Sequence, residues 1–179
     1  MKKIATLFGA FLVLISISCE GPTGPPGIDG ANGVNVVGET YEIDGIDFSP
    51  ANNTVRFTFP QNIVNGDAVL VYRLEDIEDG LDIWEPLPTA TIFFQDGGFF
   101  QYRFNYTLGD VDIIAESDDL SLIDDSFMLD QIFRIIVVPS DLVSTIDDTA
   151  NMESVIKQLG LENKDIQELN NNSQRITLD

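Results

Sequence analysis

The chain has 179 residues, with thirty acids against nine lysines and arginines, one cysteine and no histidine. Without histidine or a second thiol it holds no Ser-His-Asp or Cys-His catalytic set and no histidine-ligated zinc site. A formal net charge of −21 repels phosphate backbones and anionic headgroups, which disfavours nucleic-acid binding and attraction to an acidic lipid surface.

In chain order, residues 1–18 read as a removable secretory segment. Lys2 and Lys3 form a positive start, an apolar run follows from Ile4 to Ile15, and the small residues Ser16 and Ser18 come next. The run is shorter than the ~20 residues that span a bilayer; an amino-terminal transmembrane anchor is the alternative reading. Removal takes away two lysines and no acids, so −21 becomes −23. Ile15-Ser16-Ile17-Ser18-Cys19 then resembles the lipobox of bacterial lipoproteins, with Ser16 standing where leucine is usual. The resemblance implies a diacylglyceryl group on Cys19, which becomes the first mature residue. At ~0.8 kcal/mol per buried CH₂, several acyl chains on one residue hold a protein durably at a membrane. Glu20 follows, rather than the aspartate that resembles an inner-membrane retention signal. The resemblance therefore implies the outer membrane and leaves the leaflet open.

From Gly21 to Asn35 glycine occupies every third place: Gly21, Gly24, Gly27, Gly30 and Gly33. Collagen needs this period because only glycine fits at the triple-helix axis. A trimerising stalk and an extended spacer both fit the pattern, and an extended stretch of this length reaches roughly 45 Å at ~3.1 Å per residue. The spacer is the economical reading, since only the first two triplets carry proline and ordering three chains is entropically costly. Cys19-Glu-Gly-Pro-Thr-Gly-Pro-Pro-Gly27, together with Val71–Leu74, Asp82–Pro88 and Gln131–Pro139, is similar to an uncharacterised group of collagen-like lipoproteins of Bacteroidetes, flavobacteria especially. That resemblance implies an anchored architecture and no particular reaction.

Residues 36–169 read as one mainly β domain. Val55, Phe57 and Phe59 alternate with polar neighbours, as do Phe100, Tyr102, Phe104 and Tyr106, which marks strands with one buried face. Tyr41 and Ile43 start the same pattern, and Gly45 shifts it to Ile46 and Phe48, as a β-bulge would. Ala68–Tyr72 and Ile132–Val138 are apolar on both faces and predict central strands, the second ended by Pro139. Asp96-Gly97-Gly98 predicts a hairpin between Thr89–Gln95 and Phe99–Tyr106. About seven or eight short strands at this spacing predict an antiparallel β-sandwich. One short C-terminal helix is expected, with Asn151 as its cap, Met152, Val155, Ile156 and Leu159 on one face, and Gly160 as its stop. Ile166 and Leu169 are expected to add a second helical contact, and residues 170–179 to form a loose tail.

Paired carboxylates for glycoside hydrolysis remain arithmetically open among thirty acids, but most sit in turns or on wet strand faces, so no enzyme is expected. Calcium is the better chemical candidate: Asp76, Glu78, Asp79 and Asp82, within Glu75–Asp82, and the acids between Asp118 and Asp125 offer oxygen ligands on expected loops. The first run is not an EF-hand, because placing Gly80 sixth puts Pro86, not glutamate, twelfth. Plain solvated turns are the simpler reading of these acids. Trp84, the only tryptophan, is either an exposed platform for a sugar or protein partner or a plug at a sheet edge. Asp148-Thr149-Ala150 resembles the short O-glycosylation acceptor of Bacteroidetes. Two functions stay open: a structural or interaction module docking an envelope protein, and a glycan- or calcium-binding accessory of a surface uptake system.

Overall fold

A computed structural model of the chain describes residues 38–95 and 97–169. The secretory segment, Cys19, the Gly-X-Y stretch, the tail and Asp96 of the expected hairpin turn lie outside these residues. The described chain runs β1 (Glu39–Ile46), β2 (Thr54–Thr58), β3 (Ala68–Glu78), β4 (Leu81–Pro86), β5 (Ile92–Phe93), β6 (Phe99–Tyr106), β7 (Asp110–Ser117), the helical turn α1 (Asp125–Met128), β8 (Gln131–Val138), a second turn α2 (Ser140–Val143), the helix α3 (Met152–Gln158) and β9 (Ile166–Leu169).

Two sheets result, one in the order β4-β3-β8-β1-β9 and one in the order β2-β7-β6-β5. Every pairing is antiparallel except the parallel contact of β9 with β1. The domain is mainly β, as its alternating pattern predicts. The shift at Gly45 is present: the β1–β8 register slips between Ile43 and Ile46, with Gly45 at φ 60°. This slip lets Tyr41, Ile43, Ile46 and Phe48 all enter the core.

The space between the sheets is filled from both sides by side chains that alternate with wet ones. Val55 and Phe57 of β2, Phe100 and Tyr102 of β6, Val111 and Ile113 of β7, and Phe133 and Ile135 of β8 are all buried there. The aromatic rings meet edge to face, the arrangement their quadrupoles favour: Phe133 lies 5.4 Å from Tyr102 at 76° and 6.0 Å from Phe48 at 83°. Outside the four-stranded sheet the opposite residues are polar and paired. Arg56 Nε donates to Asp112 at 2.6 Å and Arg103 Nε to Glu116 at 3.0 Å.

β3 and β8 are interior strands, as two apolar faces require, and α3 supplies the cover for the second face. Met152, Val155, Leu159 and Leu161 close over Tyr72, Ile136 and Val138 in a separate buried cluster. Asn151 caps α3 by accepting from Ser154 N at 2.9 Å. Gly160 at φ 68° ends it in a Schellman arrangement, with Gly160 N donating to Lys157 O and Leu161 N to Ile156 O.

Several expectations need correction. Nine strands are present among the described residues, against about seven or eight expected. Ile166 and Leu169 belong to a parallel edge strand, not a helical contact, because backbone pairing with Thr40–Ile43 outweighs their helix-like spacing. Of Thr89–Gln95, Ile92 and Phe93 form the strand ladder with β6, Thr89 N donates to Tyr102 O at 2.9 Å, and Phe94 N donates to Gly98 O across the expected turn at 3.1 Å. Burial also fades along β6: Phe100 and Tyr102 are inside, while Tyr106 is 43% exposed.

The buried tyrosines carry a pH dependence. Burial is the main cause that holds the hydroxyls of Tyr41, Tyr72 and Tyr102 above their ordinary range; Glu39 reinforces it at Tyr41 and Asp148 at Tyr72, while Arg73 opposes it at Tyr102. The folded state therefore favours the protonated phenol. Its contribution is complete below the unfolded value of about 10 and is lost as pH rises beyond it. Melting temperature is expected to hold up to about pH 9.5 and then fall steeply, faster than in Tyr102→Phe, when followed by circular dichroism. A flat profile to pH 11 or so, identical in both proteins, would contradict it.

Candidate functional site

The face of the five-stranded sheet turned away from the core is only partly covered by α3, and what remains is an open trough of about 1020 Å³. Register places its parts. On β8 the outward residues are Arg134, Ile136 and Val138, since their neighbours Phe133, Ile135 and Val137 face the other sheet. Arg134 is opposite Tyr72 on one side and Glu42 on the other, and Glu42 is opposite Glu168. Arg134 and Glu42 thus form the floor. One side is the flank of α3, with Met152, Glu153, Ile156, Lys157 and Gly160 at helical spacing. Leu81–Trp84 of β4 and Ile166 and Glu168 of β9 border the rest.

Arg134 is the organising residue. It is 8% exposed, and its Nε donates to Glu42 Oε2 at 3.0 Å, with Nη2 donating to the same oxygen. Nη1 lies 3.7 Å from Met152 Sδ, and the guanidinium carbon sits 4.1 Å from the centre of the Trp84 ring. A desolvated guanidinium over an indole face is among the stronger cation–π contacts, worth up to about 2 kcal/mol. Trp84 is therefore a half-buried edge residue with one face occupied, packed against the second core cluster. This is the plug at a sheet edge, with one margin left facing the trough.

The acids proposed for calcium are placed differently from the expectation. Glu75–Glu78 continue strand β3 and Asp82 lies in β4, so the run is a hairpin and not a loop. Its two-residue turn is Asp79-Gly80, at φ 53° and 80°, with Glu78 paired to Leu81. Strand alternation puts Asp76 and Glu78 on one face of the hairpin and Asp82, opposite Ile77, on the other, so the three do not converge. Among the described residues no three acids are grouped as a metal cage. In the other acidic run, Asp119 accepts from Ser121 N and Oγ, and Asp124 accepts from Ser126 N at 2.9 Å. Hydrogen bonds from Ser121 and Ser126 hold these two carboxyls below the usual carboxylate range, so they act as caps of short helical turns.

Sequence reading missed the Arg134–Glu42 pair and the α3 flank. One signal was visible: Arg134 is the only charge inside the apolar run Ile132–Val138, a place where a charge needs a partner. A second buried cation, Arg73, lies between the sheets, donating to Gln131 at 2.7 Å and Glu85 at 2.8 Å beneath the rings of Tyr102 and Phe127. Gln131 and Glu85 both belong to its own sheet, on β8 and β4, and the contact with the Tyr102 ring of β6 reaches the other sheet. Comparison with protein-family models, with curated proteins and with solved structures gave no match for this chain.

Proposed function

We propose that this chain is a non-enzymatic envelope lipoprotein, a β-sandwich held off the outer membrane by its Gly-X-Y spacer, that docks another envelope protein through the trough. The observation that carries the docking reading is the gathering of half-buried Ile83, Trp84, Ile156 and Ile166 around one partly buried ion pair in a single open depression. Apolar and aromatic anchors in a partly desolvated hollow with a polar surround are what protein interfaces use for most of their binding energy. Cys19, directly after the secretory run, supports the anchoring reading. A sugar platform is less well supported, because it needs an open indole face, and Arg134 occupies one face of Trp84 while the half-buried ring also packs against the second core cluster.

The test of docking is a photo-crosslinking residue at Lys157, exposed on the trough flank, introduced in cells. A discrete adduct with one envelope protein is expected, absent when the same residue replaces exposed Asn105 on the other sheet. Identical adducts from both positions would defeat the reading. For the anchor, Cys19→Ser is expected to move most of the processed protein from the membrane to the soluble fraction; undiminished membrane retention would overturn it.

A further inference from the structure

We infer that the partner segment seated in the trough carries lysine or arginine side chains interleaved with apolar ones. This rests on the trough being the docking face and adds the chemistry of what it receives. The lining holds five carboxylates, Glu42, Asp82, Glu153, Glu162 and Glu168, and two cations, Arg134 and Lys157. Arg134 and Glu42 neutralise each other at the floor. Subtracting that pair leaves four acids and one lysine. All five are exposed, and Lys157 makes no ion pair among the described residues. Glu162 does contact Lys164 at 2.8 Å, but both side chains are about 70% exposed, where such a pair holds its partners loosely.

Between the acids lie Leu81, Ile83, Trp84, Ile156, Leu161 and Ile166, so an occupant must present apolar groups as well as positive charge. The charge decides between occupants. A second copy of this chain brings its own formal charge of −21 and is repelled, and an anionic lipid or nucleic-acid backbone is repelled for the same reason. A basic and apolar protein segment is attracted at long range by the carboxylates and held at short range by the apolar lining.

The position of Trp84 makes this directly measurable, because it is the only tryptophan in the chain and borders the trough. The probe is an octapeptide of alternating lysine and valine, titrated against the full mature protein in detergent while Trp84 emission is followed. Saturable change is expected, with affinity falling at least tenfold from low to high salt, and none is expected with the glutamate–valine counterpart. The triple variant Glu153→Gln, Glu162→Gln, Glu168→Gln is expected to melt with wild type and to bind the lysine peptide at least tenfold less tightly. Lys157→Glu is expected to bind it severalfold more tightly. Equal binding of both peptides, or unchanged affinity in the triple variant, overturns the inference. An adduct from the Lys157 position that maps to an acidic or uncharged partner segment also overturns it while leaving docking intact. Absence of any specific adduct removes docking and the inference together.

Discussion

Phe133→Ala is expected to lower stability by about 4 kcal/mol, the largest loss from any single truncation in the inter-sheet core. Phe133 is fully buried on the central strand β8 and touches rings from both sides of the sandwich, Phe48 through β1's extension and Tyr102 through β6. Its removal leaves a cavity framed by paired backbone on two interior strands, which cannot collapse without breaking ladder bonds. The site therefore falls toward the costly end of the range for aromatic truncations. Phe133→Leu keeps most of the volume and is expected to lose less than half as much. Urea titration checks both: the midpoint should move while the slope stays constant. A Phe133→Ala protein within about 1 kcal/mol of wild type would mean that the two sheets do not pack as described.

Arg134→Ala is expected to cost about 3 kcal/mol, by a different route. The substitution strips Glu42 of its partner in a place where its side chain is 24% exposed, and it uncovers the stacked face of Trp84. Loss of one member of a partly buried pair is penalised mainly by the charge left behind. It follows that replacing both members, Arg134→Met with Glu42→Leu, should recover most of the loss, since the pair as a whole gains little over a well-packed apolar patch. Trp84 supplies a second readout: its emission should shift to the red in Arg134→Ala as water reaches the ring, and return in the double variant. A double-mutant cycle with no coupling between positions 42 and 134 would remove the pair from the account.

Both expectations turn on β8, and β8 shows how far local pattern reaches. Its run Ile132–Val138 announces a strand buried on two faces, and the strand is there. The pattern does not announce what covers each face. Phe133 and Ile135 could have faced either layer; register with β3 and β1 sends them to the other sheet and turns Ile136 and Val138 toward α3. Likewise the acids of Glu75–Asp82 suggest a cation loop when read by composition, because a run of carboxylates around a glycine is common to loops and to hairpin turns. Pairing of Glu78 with Leu81 resolves it as a hairpin. The error over Ile166 and Leu169 has the same origin: a spacing of three is a helical signal only where no open strand edge competes for the backbone, and the edge of β1 does compete.

Composition and period, by themselves, determined the lack of histidine and of a second thiol in this sequence, the excess of negative charge, the alternation that makes strands, the bulge at Gly45, and the cap and stop of α3. Each of these depends on side-chain type or on neighbours within a few residues, so each is written locally. The trough was decided only by the tertiary structure. Its residues come from β1, β4, β8, α3 and β9, separated by up to the whole length of the domain, and nothing local brings Glu42 to Arg134 or Arg134 to Trp84. Long-range strand order and register placed them together, because burying both faces of β8 left one cation on the outward side that had to find a carboxylate and a ring.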